Sequence, residues 1–155
     1  QYILTREGTS EGRWGPDGPD QGMVGRKMDP RVENWLNSAR YDLAAARDML
    51  AAGRFVYTIF FSHLAVEKAL KAKVQEETGK TPPRVHDLIV LLKRAKLDPP
   101  PDLRDSLGKM AGTSTATRYP ADLAEVVRSY PREVAEEHLR WAEEAVGWIA
   151  GQLKP

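Results

Sequence analysis

Apolar residues recur every three or four positions between Pro30 and Leu50, and this spacing predicts an amphipathic helix. Asp29 suits the N-cap position and Pro30 the first helical position, while Gly53 ends the pattern. The inward face of this predicted helix consists of Val32, Leu36, Ala39, Leu43, Ala46 and Leu50.

A second long helix is predicted from about Arg54 to Thr78, with Gly79 as its C-terminal glycine. Because the join to the first helix is only about four residues long, the two helices must lie antiparallel. The stretch from Phe55 to Ala72 begins with apolar side chains on nearly every side of the helix and ends in an amphipathic run. A helix of this kind has to be covered on several sides, so we expect it to be central.

The aromatic start of the second helix also predicts a homodimer. Its large apolar side chains point around most of the helical circumference, and a bundle of this size shields only part of them. A second copy of the chain would cover the rest. The side chains concerned are Phe55, Val56, Tyr57, Phe60 and Phe61.

Prolines divide the remaining chain into shorter elements. We predict short helices at about 86–95 and 102–110, an extended polar loop over 111–130, and a last helix that begins at Pro131. No segment alternates apolar and polar residues as a strand does. The sequence therefore predicts an all-α, up-and-down bundle of four to five helices.

Composition bounds the organisation of the chain. Its 155 residues suffice for one domain. Residues 1–29 hold six glycines and two prolines with little periodicity, so we interpret them as a flexible tail, either native or upstream of a natural start at Met23 or Met28. The helical domain is expected to span residues 30–155.

Charge and cysteine content remove several classes of function. The 23 basic and 22 acidic residues leave a net charge of +1, so any basic site must be local. The chain has no cysteine, which excludes disulfides and thiolate metal sites and suits a reducing compartment. No apolar run is long enough to span a membrane, and no secretory leader is visible. We therefore expect a cytoplasmic protein without membrane association.

Five short motifs follow one another along the chain: Trp35-Leu36 with Ala39 and Asp42, the run Glu67–Ala72, His86-Asp87-Leu88, Thr117-Arg118-Tyr119-Pro120 and Ala135-Glu136-Glu137. In this order they resemble the HEPN family of small helical domains from bacteria and archaea. The resemblance covers about residues 30–153 and implies an antiparallel helix pair, a dimer, and a role in RNA cleavage or nucleotide binding. It also implies a minimal nucleotidyltransferase as a partner.

The same resemblance implies a catalytic pair. Ribonucleolytic members carry an arginine, four to six residues and a histidine, and Arg132 and His138 fit that spacing. The histidine would move the 2′-hydroxyl proton while the arginine neutralises the transition state. Catalytic members usually carry Asn, Asp or His directly after the arginine, whereas this chain has Glu133. Toxin members that are silenced by nucleotide transfer carry a tyrosine two positions after the histidine, where this chain has Arg140. The alternative is a histidine at a helix contact, paired with a carboxylate such as Glu137 or Glu144.

Candidate nucleotide- or RNA-binding residues are Lys68, Lys71, His86, Arg118 and Tyr119. The lysines could line a groove for phosphates, or form a solvated face with intrahelical ion pairs. Arg118 could contact phosphate while Tyr119 stacks on a base, or Tyr119 could pin the long loop onto the bundle.

The histidines complete the sequence-based interpretation. His86 could bind phosphate or ribose, or could begin a helix with Asp87 at its positive end. His63 is expected to be packed, and the spacing of the three histidines predicts no metal site and no cofactor. The sequence thus favours a dimeric nucleotide- or RNA-binding module. A metal-independent endoribonuclease of toxin type and a dimeric interaction protein without ligand are the alternatives.

Overall fold

The fold is known from a computed structural model that describes residues 28–155, a range made of helices and connectors with no strand. This confirms the predicted all-α class; predictions about residues 1–27 lie outside the described residues. Six helices occur in the described range, against the four to five expected. They are α1 (Pro30–Ala51), α2 (Phe55–Thr78), α3 (Leu88–Arg94), α4 (Pro101–Arg118), α5 (Leu123–Ser129) and α6 (Arg132–Gln152).

Helices α1 and α2 form the long antiparallel pair that the sequence predicts. The Asp29 side chain caps α1 by accepting a 2.8 Å hydrogen bond from the backbone N–H of Arg31. Gly53 in the intervening turn and Gly79 at the end of α2 both have positive φ, 75° and 68°, a conformation that only glycine adopts without strain. Local chemistry at these three residues therefore sets the length and the reversal of the pair.

Helix α2 lies at the centre of the bundle, in contact with the five other helices. Its second half is the more deeply buried, since every residue from Ala69 to Gln75 is buried. The first half is only partly covered: Phe55, Phe60 and Phe61 stay half-buried. The aromatic start predicted to need a partner is therefore the part of α2 that the bundle leaves open.

The prediction of an extended loop over residues 111–130 is wrong. Helix α4 continues to Arg118, and Asp122 caps the further helix α5 by accepting from the N–H of Glu125. Hydroxyl groups in the polar run bond to carbonyl oxygens within the same helix, as Thr117 does to the carbonyl of Thr113 at 3.2 Å. Met110 and Thr117 are buried against the core, so tertiary packing outweighs the low helix propensity of this run.

Helix α3 begins at Leu88, two residues later than predicted. The Asp87 carboxylate accepts from the backbone N–H groups of Ile89 and Val90, which makes Asp87 the N-cap. Asp87 therefore performs the helix-initiating role, and the His86 side chain is directed to a different partner.

Within residues 28–155 no helix is both long enough and apolar enough to cross a membrane.

Candidate functional site

Glu67 on α2 is a buried carboxylate, 3% exposed, surrounded by four basic side chains. Its Oε1 atom lies 3.0 Å from Nδ1 of His86 and 3.1 Å from Nη2 of Arg118. Its Oε2 atom accepts from Nζ of Lys71 at 3.3 Å, and Nδ1 of His63 is 3.9 Å from Oε1. We call these five side chains the Glu67 cluster.

Three different parts of the chain build the Glu67 cluster. His63, Glu67 and Lys71 are four residues apart on α2, so the helix places them on one face. His86 belongs to the connector before α3, and Arg118 is the last residue of α4. A buried carboxylate needs partners of opposite charge, and here each of these segments supplies at least one.

Arg118 is held on three sides. Beyond its bond to Glu67, its Nε donates to Oγ of Ser114 at 3.4 Å, and its guanidinium lies 5.1 Å from the ring centre of Phe60. The side chain is 15% exposed. A guanidinium carries five N–H donors, so these contacts leave donors for a further ligand. Arg118 is thus an immobilised cation at the edge of the bundle.

A groove of about 320 Å³ opens beside Arg118, between the start of α2 and helix α5. The volume is at the lower end of the range for small-ligand sites, about 300–1,000 Å³. Arg54 and Arg118 bring charge to walls that are otherwise largely apolar. The lining residues are Gly53, Arg54, Phe55, Val56, Tyr57, Thr117, Arg118, Pro120, Leu123, Val127 and Tyr130.

His63 is the most deeply buried histidine of the described range, with 2% exposure and no hydrogen-bond partner on either ring nitrogen among residues 28–155. Burial lowers its pKa to about 4; the Glu67 carboxylate acts in the opposite direction, and Arg118 adds to the lowering. His63 is therefore neutral near pH 7, as the prediction of a packed histidine requires.

Lys68 and Lys71 do not line the groove. Lys68 pairs with the buried carboxylate of Asp42 on α1 at 2.8 Å. Lys71 is itself buried, bonded to Glu67 and 5.7 Å from the ring centre of Trp35. The predicted intrahelical ion pair of Lys71 is present, with Glu67 one turn earlier. The predicted solvated face is wrong for Lys71, because its stem packs in the α1–α2 interface.

Tyr119 follows Arg118 and projects into solvent, with 80% of its surface exposed. Tyr119 therefore does not pin the connector to the bundle. Stacking of Tyr119 on a base stays a prediction. Arg118, in contrast, is both a groove residue and a member of the Glu67 cluster. The structure therefore brings Arg118 and His86 together, although 32 positions separate them in the sequence.

Arg132 and His138 lie at different places on α6. Six residues on a helix correspond to a rotation of roughly 120° between the two side chains. Arg132 is exposed, 5.0 Å from the ring centre of Phe55 at the groove and 3.8 Å from Glu136. His138, the predicted catalytic partner of Arg132, lies on another face of α6.

His138 is buried within the chain. Its Nδ1 lies 2.9 Å from the carbonyl oxygen of Val134, and its Nε2 lies 3.3 Å from Oγ1 of Thr113 on α4. Its ring packs 5.0 Å from that of Trp141. Burial lowers the pKa of His138. The expected carboxylate partner, Glu137 or Glu144, is replaced by a backbone carbonyl and a hydroxyl group.

Sequence reasoning missed Glu67 as the centre of a site and Arg54 and Tyr130 as groove residues. The spacing of His63, Glu67 and Lys71 was visible in the sequence, but it is equally typical of ordinary helix surfaces. Glu67 differs from an ordinary surface glutamate because Arg118 and His86 contact it. The positions of these two residues depend on the fold. Among residues 28–155, no three histidine, aspartate or glutamate side chains are grouped as a metal ion would need.

Taken together, the fold and the site define a small helical bundle with a basic, aromatic-lined groove. The model of the HEPN domain matches residues 32–152, which is most of the chain, and the protein therefore belongs to the HEPN family. This confirms the family resemblance drawn from the motifs.

Two solved structures are similar to this chain over their whole length. TT1696 from Thermus thermophilus is 29% identical, with a TM-score of 0.70, and the match covers 81% of this chain and 100% of that one. ST0689, an archaeal HEPN homologue, is 28% identical, with a TM-score of 0.66 and the same coverage of each chain. No curated protein matches the chain significantly.

Proposed function

We propose that this HEPN domain protein is a homodimeric binding module for nucleotides or single-stranded RNA, with the groove as its ligand site. The observation that carries the proposal is the position of Arg118, which the buried Glu67 carboxylate holds at the edge of an aromatic-lined groove. A preorganised cation beside aromatic walls is the combination that binds a phosphate and stacks a base.

The size and charge of the groove favour single nucleotides over duplexes. A groove of about 320 Å³ admits an unstacked base with its sugar, and a double helix cannot enter it. The chain as a whole has a net charge of +1, so affinity must come from the few arginines near the groove, Arg54, Arg118 and Arg132. Binding should therefore depend only weakly on salt.

Replacing Arg118 with glutamine should weaken the binding of a short single-stranded oligoribonucleotide about tenfold, the loss expected for one charge-assisted hydrogen bond. Tyr130→Ala should weaken it similarly by removing one wall of the groove. Fluorescence anisotropy with a labelled oligoribonucleotide measures both effects. Arg40→Gln is the matched control, since Arg40 is exposed on α1 and does not line the groove.

Equal affinities of wild type, Arg118→Gln and Arg40→Gln would contradict the assignment of the groove. Absence of binding by the wild type would refute the proposed function itself. Thermal unfolding of each variant separates a lost contact from a lost fold, because Arg118 also contributes to the Glu67 cluster.

The homodimer is supported by an exposed apolar rim on the wall of the groove, formed by three of its lining residues, Tyr57, Leu123 and Val127, each more than half exposed. Monomers seldom leave such a patch uncovered. Light scattering after size exclusion should give twice the chain mass for the wild type and a monomer mass for Val127→Glu. Tyr41→Glu, at an exposed tyrosine on α1 outside this rim, should remain dimeric. A monomeric wild type at micromolar concentration would contradict the dimer.

A minimal nucleotidyltransferase partner, a cytoplasmic location and RNA cleavage by Arg132 and His138 stay predictions from the resemblance and the composition. The burial of His138 within one chain gives the cleavage hypothesis no support from this geometry. The binding module is therefore the function that the site supports best.

A further inference from the structure

The Glu67 cluster contains more hydrogen-bond donors than acceptors. Two permanent cations, Arg118 and Lys71, face the single carboxylate of Glu67, and His86 competes with Arg118 for the same oxygen atom. His63 adds a buried imidazole that has no hydrogen-bond partner in the described part of the chain. Donors that a single carboxylate does not fully satisfy can be satisfied by a bound anion.

Neighbouring carboxylates form no ion pair with the cations of the cluster, which are paired with Glu67. Asp87 is adjacent to His86, but its Oδ1 accepts from two backbone N–H groups as the cap of α3. Asp42, the other buried carboxylate near α2, is paired with Lys68. Within the described residues, Glu67 is therefore the only carboxylate paired with Arg118, Lys71 and His86, and the charge of Asp87 adjoins the cluster without pairing with these cations.

His86 lies on the solvent-exposed side of the Glu67 cluster. A carboxylate only accepts hydrogen bonds, so the Nδ1 atom of His86 must carry the proton that it shares with Glu67. Its Nε2 atom is then available to a ligand, and the side chain is 59% exposed. The bonding nitrogens of His86 and Arg118 lie within about 6 Å of each other, since both contact Oε1 of Glu67.

We propose that His86 and Arg118 together bind a phosphate monoester, the terminal phosphate of a mononucleotide or of a single strand of RNA, with Glu67 as the positioning residue. The proposal rests on the proposed function, because Arg118 is also the residue through which the cluster meets the groove. A monoester carries up to two negative charges and three acceptor oxygens, so it can accept from Arg118 and from Nε2 of His86 when the ring carries a proton on both nitrogens. An internal phosphodiester carries one charge and offers less to a site with two donors.

The test compares three oligoribonucleotides of the same short sequence, one with a 5′-phosphate, one with a 3′-phosphate and one with hydroxyl groups at both ends. The wild-type protein should bind one of the phosphorylated forms about tenfold more tightly than the unphosphorylated form, as one charge-assisted contact requires. His86→Gln should abolish this preference. Arg84→Gln, at an exposed residue of the same connector, should keep the preference.

The two failures can be distinguished. If all three oligoribonucleotides bind equally well, the phosphate site is wrong while the groove stands. If none binds, the proposed function fails. A preference that persists in His86→Gln would also overturn the role of His86. Because His86 is largely exposed, its replacement should leave thermal unfolding almost unchanged, and that measurement checks the variant.

Discussion

Replacing Glu67 with glutamine is expected to lower the free energy of unfolding by about 3–5 kcal/mol, the cost of removing one partner from a buried ion pair. Glutamine has nearly the same shape, so the change removes charge with little change in volume. The amide nitrogen of glutamine would also place a hydrogen-bond donor beside Arg118, Lys71 and His86, which are donors themselves. Arg118 and Lys71 would lose their shared carboxylate partner while remaining largely buried. Urea unfolding of the two proteins at pH 7 measures the difference.

Glu143→Gln is the matched control for this experiment. Glu143 pairs with Arg47 between α6 and α1 at a similar distance, 3.0 Å, but both side chains are exposed. Exposed pairs contribute about 0–1 kcal/mol, so this variant should be nearly as stable as the wild type. Equal losses in the two variants would mean that Glu67 is not the buried counter-ion described above. In the double variant Glu67→Gln, Arg118→Met, the loss should be less than additive, because the stranded cation is removed with its partner.

The helical hairpin could be predicted from the sequence because its determinants are local. Asp29, Pro30, Gly53 and Gly79 each act within one helical turn, and the structure uses them as caps and turns. The apolar face of α1 follows from spacing alone. The polar run before Arg118 could not be interpreted in this way, since its helical state depends on packing that buries Met110 and Thr117.

The candidate site could be predicted only in part. His86 and Arg118 stood out as binding candidates by their chemistry, but their meeting at Glu67 depends on how α2, α3 and α4 pack together. The lysines show the reverse error. Lys71 resembled a surface cation in the sequence, and its burial depends on Trp35 from α1 and on the carboxylate one helical turn earlier.

Lowering the pH from 6.5 to 4 should cost the protein about 3 kcal/mol of stability through His63 alone. In the unfolded chain a histidine has a pKa near 6.5, whereas burial lowers the pKa of His63 to about 4 in the folded protein. Between these values the unfolded state binds the proton more readily, so stability falls as the pH falls. Above pH 6.5 both states are neutral at this residue, and the full contribution is present.

The contribution of His63 is isolated by comparison with His63→Leu. Neither ring nitrogen has a hydrogen-bond partner within residues 28–155, so an apolar side chain of similar size should fold with nearly unchanged stability at pH 7. The leucine cannot be protonated, and carboxylates that titrate in the same range affect both proteins alike. Denaturant unfolding between pH 7 and pH 4 should therefore show the variant becoming the more stable protein by about 3 kcal/mol at pH 4. A difference that stays constant with pH would mean that His63 is not held neutral by burial beside Glu67.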